Sequence, residues 1–537
     1  MKGRIICLSA AAASTALVSA AASVVASELE PRSYGGMLQL GVERVKLSEA
    51  GPVRRRDVVP VALENYEGAA YIASISLGTP AQTLQVQLDT GSSDLWVQAS
   101  TNPFCTASPG NCQVTGTFDA AKSSSFAQIS NDSFAISYVD TTGATGTYAT
   151  DTLGIGNATL DKFVFGYAEN SNTSLGVLGV SFMLEEASNP TYPNLPYRLQ
   201  QDGIIDLVSY SLWLNDLEAN TGSILFGGID TGKFTGELSV IPIYPVVTLG
   251  NEQFFDSFNV TLTGITVSSS TNTNNKTIVY GASDAIVTGG STVYTILDSG
   301  TSLGTLPLAI LEGIVEGLGL SNSAQFQRQD EFYQVNCSFM TSDSLVIFEF
   351  GGKASIAVTM DQFIQVLSID SFGHNICGIA LQASQSLDPY SESYIAGDTI
   401  LRSAYVVYDL ENYMVGIAQT SFNSSVSNLL SLSSSGIPDG VIGTGADNSG
   451  NQISSSGDST TTTSPSAATS SSSATSSSSS SSSSTSTGHR TATTSATTPA
   501  STSSAPNAAS KATSLVSPSA ASVIISTVVF ILGAMWI

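Results

Sequence analysis

A chain of 537 residues carrying 18 Lys and Arg against 43 Asp and Glu, a net charge of −25, is long enough for more than one globular unit and has no basic stripe to meet a phosphate backbone. A nucleic-acid partner is excluded on that ground, and an acid working environment, where protonation relieves self-repulsion, fits the balance. Roughly the last hundred residues hold too few large apolar side chains to build a core, so the folded part must end before them.

Residues 1–27 read as a signal peptide: Lys2 and Arg4 precede an apolar stretch from Ile5 to Ala20, and small residues follow up to Ser27. Residues 28–56 form a propeptide-like leader ending in Arg54-Arg55-Arg56, which a kexin-like processing protease would cut after Arg56; a solvated loop is the plainer alternative. Residues 1–56 hold 8 basic and 4 acidic residues, leaving 10 basic against 39 acidic downstream. Such a leader is suited to masking an acidic cleft until it is removed, with Lys46 the candidate charge.

From Val58 to about Phe422 the texture is mainly β. Short alternating or β-branched runs, such as Tyr71–Leu77, Thr83–Leu88, Phe134–Tyr138 and Tyr405–Tyr408, are separated by Gly, Asn, Asp and Ser turns. Leu306–Gly317 is the clearest helical stretch. The expected organisation is a domain over 57–425 in two β lobes, about 57–235 and 236–425.

Cys7 lies in the signal segment, leaving Cys105, Cys112, Cys337 and Cys377 in an oxidising compartment. Three connectivities are open; the simplest joins 105 to 112 and 337 to 377. Seven glycosylation sequons, at Asn131, Asn157, Asn172, Asn259, Asn275, Asn336 and Asn423, suit a secreted glycoprotein.

Residues 426–507 are rich in Ser, Thr, Gly and Ala, nearly all Ser and Thr from about Ser459 to Thr487, and read as an extended, O-glycosylated stalk. Val523–Ile537 is an apolar tail of 15 residues with no basic residue behind it, short for a stable span. Asn507-Ala508-Ala509, then a spacer from Ser510 to Ala521, matches a glycosylphosphatidylinositol (GPI) signal attached at Asn507, with 508–537 removed; a retained transmembrane tail is the alternative.

The chemistry lies in two near-copies, Leu88-Asp89-Thr90-Gly91-Ser92-Ser93 and Leu297-Asp298-Ser299-Gly300-Thr301-Ser302, with their aspartates 209 residues apart. Each is followed by an apolar-apolar-Gly element, Val177-Leu178-Gly179 and Ile395-Ala396-Gly397, at intervals of 90 and 99 residues from Asp to Gly. One carboxylate per copy of an internal repeat suggests a dyad. Two carboxylates a few ångströms apart cannot both ionise, so they share a proton; one can then take a proton from water while the other polarises a carbonyl.

On these motifs the chain resembles the pepsin family of aspartic proteases over about residues 60–420, and with its stalk and anchor it is similar to fungal yapsin and candidapepsin-like members. The resemblance implies a bilobal β fold with one Asp-Thr/Ser-Gly loop from each lobe at the floor of a cleft, and an endopeptidase acting in acid on protein or peptide substrates. It implies that Asp89 and Asp298 are catalytic, that Thr90 and Ser299 clamp the loops, and that Ser92 and Thr301 bond the outer carboxylate oxygens. Gly91, Gly300, Thr301 and Ser302 would then line the substrate site, where glycine leaves room for close backbone approach. Ser137-Tyr138-Val139-Asp140 matches the flap hairpin, with Tyr138 reaching Trp96 and Asp140 reaching substrate. The family commonly has glycine where this chain has Val139, which bears on flap flexibility.

Gly300-Thr301-Ser302-Leu303-Gly304 also fits a serine-hydrolase elbow, but the only histidines are His374 and His489, and the texture is not α/β. His374 reads as a surface or packing residue. No His-Glu-x-x-His occurs, and no metal or cofactor is expected, water being the nucleophile. The remaining competitor is an inactive pepsin-like cell-wall adhesion protein, opposed by the retention of both aspartates and all four flanking hydroxyls. A monomer is expected.

Overall fold

The computed structural model describes residues 33–446 apart from 35, 47–68, 108–111, 113–114, 220, 250–251, 269–286, 289–290, 328–330, 371 and 385–393. The expected signal peptide, the Arg56 cut, Asn275, residues 447–507, Asn507 and the tail lie outside the described residues.

Alternation writes itself into burial. In strand Gln82–Asp89 the side chains of Leu84, Val86 and Leu88 turn inward while Gln85 and Gln87 stay half-buried, the period of two that a pleated strand imposes. Among the described residues, strands of this kind assemble into two large sheets, one of fourteen strands and one of ten. The expected helix is present as Leu308–Gly317; it starts two residues late because Leu306 and Pro307 belong to strand Gly304–Pro307.

The larger sheet is shared between the halves of the chain. Phe234–Pro242 spans the expected boundary, Met414–Thr420 and Ala404–Asp409 come from the later half, and they continue through Ser209–Trp213 and Thr221–Phe226 into Met37–Lys46 and Ala69–Leu77. The lobe boundary expected at 235/236 therefore falls inside a strand. Met37–Lys46, within the leader, is antiparallel to a strand on either side, so it is an integral member of the sheet in this state.

Strand Ala404–Asp409 shows why the sheet has two covered faces. Val406 and Tyr408 enter the main core, while Tyr405 and Val407 point the other way into a second cluster with Trp213, Phe234 and Leu432. The cover on that face is the stretch assigned to the stalk, and here the expected boundary at 425 is corrected. Leu429–Ser431 pairs with Gly228–Asp230, Leu432 is buried, and Gly443 N–H donates to Gly236 O at 2.8 Å. Burying Leu432 contributes about 1.5–3 kcal/mol, and the backbone pairing satisfies its own polar groups, so a Ser-rich segment can stay docked.

Both expected disulfides are present, Cys105–Cys112 and Cys337–Cys377. The second ties strand Asn375–Ser384 to the turn Cys337–Thr341 beside it.

Candidate active site

Strand Gln82–Asp89 ends on Asp89, and strand Tyr294–Leu297 ends one residue before Asp298. Each runs parallel to the apolar element that the repeat placed after it, with Leu88 opposite Leu178 and Leu297 opposite Ala396. The two loops thus leave equivalent places in the two sheets, and both aspartates are buried, 6 % and 8 % exposed.

The carboxylates face each other. A Cβ on Gly91 would lie 2.6 Å from Asp298 Oδ1, and one on Gly300 would strike the Asp89 carboxylate, so only glycine lets the loops approach this closely. Inner oxygens are held by the loops' own backbone: Gly91 N–H donates to Asp89 Oδ1 at 2.8 Å and Gly300 N–H to Asp298 Oδ1 at 2.7 Å. Outer oxygens take the hydroxyls, Ser92 to Asp89 Oδ2 and Thr301 to Asp298 Oδ2 at 2.6 Å.

Thr90 and Ser299 lock the halves together as expected. The Thr90 hydroxyl donates to Leu297 O at 2.9 Å and accepts from Ser299 N–H at 2.9 Å; the Ser299 hydroxyl donates to Leu88 O at 3.1 Å. Gln87 Nε2 adds a bond to Gly300 O at 2.8 Å. Burial, and then the charge of Asp298, push the Asp89 pKa up, which is the condition for a carboxyl to hold a proton while its neighbour is ionised.

Over this floor stands the hairpin of Ala127–Ser137 and Gly143–Ile155. Trp96 Nε1 donates to the Tyr138 hydroxyl at 2.8 Å, as the motif suggested, and Val139 at the tip is 94 % exposed. Asp140 Oδ1 accepts from Thr142 N–H at 2.9 Å and from its hydroxyl at 2.6 Å, so its contacts shape the turn. Ser302 presents its carbonyl to the Thr399 hydroxyl at 3.3 Å. His374 is exposed and paired with Asp370 at 3.0 Å, away from Ser302 in sequence and in bonding.

Sequence reasoning missed two buried clusters. Asp94, directly after Ser93, accepts from the hydroxyls of Tyr148 at 2.8 Å and Tyr192 at 2.7 Å and from Ala187 N–H at 2.8 Å, and burial raises its pKa. Tyr148 belongs to the hairpin's second strand, so this carboxyl joins the Asp89 loop to the base of the hairpin. Behind the other loop, Asp398 N–H donates to Thr301 O at 2.9 Å, and its buried carboxyl lies in the field of Arg402 and Arg44. Arg402, 1 % exposed, donates to Gln362 Oε1 and Gln362 O, each at 3.0 Å. Arg44 belongs to the leader strand, so the leader charge seen buried is Arg44; the Lys46 side chain is outside the described set.

Asn157, Asn172, Asn336 and Asn423 are exposed, while the Asn131 side chain lies outside the described set. Asn259 is a correction: it starts a buried strand and is 6 % exposed, which leaves no room for a glycan.

Two symmetric loops presenting facing carboxylates at the junction of two β lobes define an aspartic peptidase. The chain belongs to the eukaryotic aspartyl proteases, whose family model matches residues 70–420. It is 37 % identical over 417 residues to the probable aspartic-type endopeptidase opsB of Aspergillus fumigatus, covering 75 % of this chain and 80 % of that one. To the aspartic proteinase yapsin-3 of Saccharomyces cerevisiae it is 32 % identical, with 73 % of each chain covered. The fold matches the crystal structure of the aspartic proteinase from Irpex lacteus with a TM-score of 0.52 at 19 % identity, over 73 % of this chain and 100 % of that one. The chain is a pepsin-like, aspartic-type endopeptidase resembling the yapsins, and protein or peptide chains are its substrates.

Proposed function

We propose that the enzyme is secreted, matured by a kexin-like cut after Arg56, held by a GPI anchor at Asn507 on the outer face of the plasma membrane or in the wall, and active there in acid as a monomer. The observation that carries the catalytic part is the facing of the Asp89 and Asp298 carboxylates, each with its inner and outer oxygens separately bonded.

In this reading a water lies between the inner oxygens. The ionised aspartate takes its proton as the oxygen attacks the scissile carbonyl, the protonated one donates to the carbonyl oxygen, and a tetrahedral diol forms without a covalent enzyme intermediate. Collapse returns a proton to the leaving amine. Which aspartate starts ionised is a property of the pair. Gly91, Gly300, Thr301, Ser302, Tyr138 and Asp140 would bound the substrate, and an acidic surface favours basic segments.

The anchored location rests on the leader, the Ser/Thr stalk and the apolar tail; among the described residues no helix is long and apolar enough to cross a membrane. Cutting after Arg56 would leave Met37–Lys46 held by its sheet bonds, by Leu38, Leu40 and Val42 in the main core, and by Arg44, so activation requires that strand to leave or to stay as a bound peptide.

The test is to express the full chain on its host cells, treat them with phosphatidylinositol-specific phospholipase C, and assay peptide hydrolysis from pH 3 to pH 7 with and without pepstatin. Pepstatin-sensitive acid activity released by the lipase is expected. Activity that stays on the membrane would sink the anchor, and a released, processed protein that cuts nothing would turn the reading to an adhesion module.

A further inference from the structure

The tip of the flap is tied to a neighbour that the catalytic description does not use. Asn172, at the end of the strand Ala158–Ser171, spans the turn with its carboxamide: Oδ1 accepts from Gly143 N–H at 2.7 Å and Nδ2 donates to Thr141 O at 2.9 Å. Its backbone N–H also donates to Gly143 O, at 3.3 Å. Thr141 has φ of +68°, a left-handed conformation that a β-branched residue adopts only when something holds it. The clasp from Asn172 is such a hold, and it acts on the turn carrying Tyr138 and Val139.

Asn172-Thr173-Ser174 is also a sequon. Glycosylation would use a lipid-linked oligosaccharide: the bond from the sugar's anomeric carbon to the lipid diphosphate breaks, a bond from that carbon to Nδ2 forms, and one amide proton leaves with the diphosphate. The resulting secondary amide prefers the trans arrangement, which puts the sugar on the same side as Oδ1. That is the edge of the amide already occupied by the flap, since Oδ1 and Nδ2 bond to two residues of one turn. A glycan and the clasp therefore compete for the same edge.

We propose that Asn172 is a positioning residue of the peptidase, kept free of glycan in the active enzyme, whose two-point clasp sets the resting place of the flap over substrate. The inference rests on reading the 127–155 hairpin as the flap. Losing the clasp leaves the dyad intact and makes substrate order the turn on binding, so the cost falls on KM rather than kcat.

The test uses three variants of the full-length chain, each assayed on one peptide substrate, with amide exchange at Gly143 followed by mass spectrometry. Ser174→Ala destroys the sequon and keeps the clasp; it is expected to match the parent in both constants. Asn172→Ala is expected to raise KM about 3- to 10-fold with kcat within about twofold, and to speed exchange at Gly143. If Ser174→Ala reproduces the Asn172→Ala change, Asn172 acts through a glycan and the proposal is overturned; it is overturned equally if Asn172→Ala changes neither constant. Tyr138→Ala separates the two levels, because a Tyr138→Ala enzyme with unaltered kinetics would show that the hairpin is not the flap, whatever Asn172 does.

Discussion

The two catalytic loops are near copies at their centres and differ in what stands behind them. Around Asp89 and Asp298 the pattern is the same: a glycine N–H on the inner oxygen, a hydroxyl on the outer one, and a reciprocal Thr90–Ser299 lock. Five residues after each aspartate the copies part. Asp94 links the first loop to Tyr148 and so to the flap, while the second loop has Leu303 there and rests on Asp398, Arg402 and the leader's Arg44. On the mechanism proposed above, this symmetry lets two carboxylates share one proton. The asymmetry links one loop to the hairpin 127–155 and the other to the N-terminal strand Met37–Lys46.

The strongest way to break the symmetric half of this comparison is at its centre. Asp89→Asn and Asp298→Asn should each lower kcat by about 10²–10⁴-fold without loss of fold, checked by steady-state assay and circular dichroism. A variant that keeps most of the rate would mean that the two copies are not equivalent.

The asymmetric half is next. Arg402→Met takes the donor away from the buried Gln362 Oε1 and Gln362 O, and should lower unfolding stability by about 1–3 kcal/mol in urea melts while leaving KM unchanged. On the flap side, burial raises the pKa of Glu186, whose Oε2 accepts from Tyr192 N–H, from 4.5 to about 8. The unfolded chain gives up that proton first, so the contribution to stability is full below about pH 4.5 and is lost as pH rises toward 8. Asp94 shifts in the same direction. Glu186→Gln should therefore reduce the fall in unfolding free energy over that range, read from urea melts, by about 1–3 kcal/mol. The smallest effect is expected from Tyr138→Phe, which removes the acceptor for Trp96 and should cut kcat/KM about 3- to 10-fold with little change in melting temperature.

Much of the dyad's surroundings is legible in the sequence, because the motif is short, duplicated and local: the loop that carries Asp89 also carries Gly91 and Ser92. The Trp96–Tyr138 contact was legible through family resemblance, and the disulfides through parity and spacing. What escaped was long-range. Asp398 and Arg402 share one short helical turn, but Arg44 and Tyr71 reach them from two strands far away in sequence, and no spacing announces that meeting. The docked stretch 426–446 reads as stalk because its composition is Ser- and Gly-rich, and only Leu432 and the pairing of Leu429–Ser431 distinguish it. Asn259 failed for the opposite reason: a sequon is a local pattern, and burial is not.

The most direct test is the pH dependence of kcat/KM for the processed enzyme from pH 2 to pH 8, read beside the Asp89→Asn and Asp298→Asn variants. A shared proton predicts a bell with its maximum in acid, falling on both sides as the pair gains or loses that proton, and no comparable profile in either variant. A rate that climbs to a plateau near neutrality, or a variant that keeps the parent's bell, would contradict a water activated between the two aspartates.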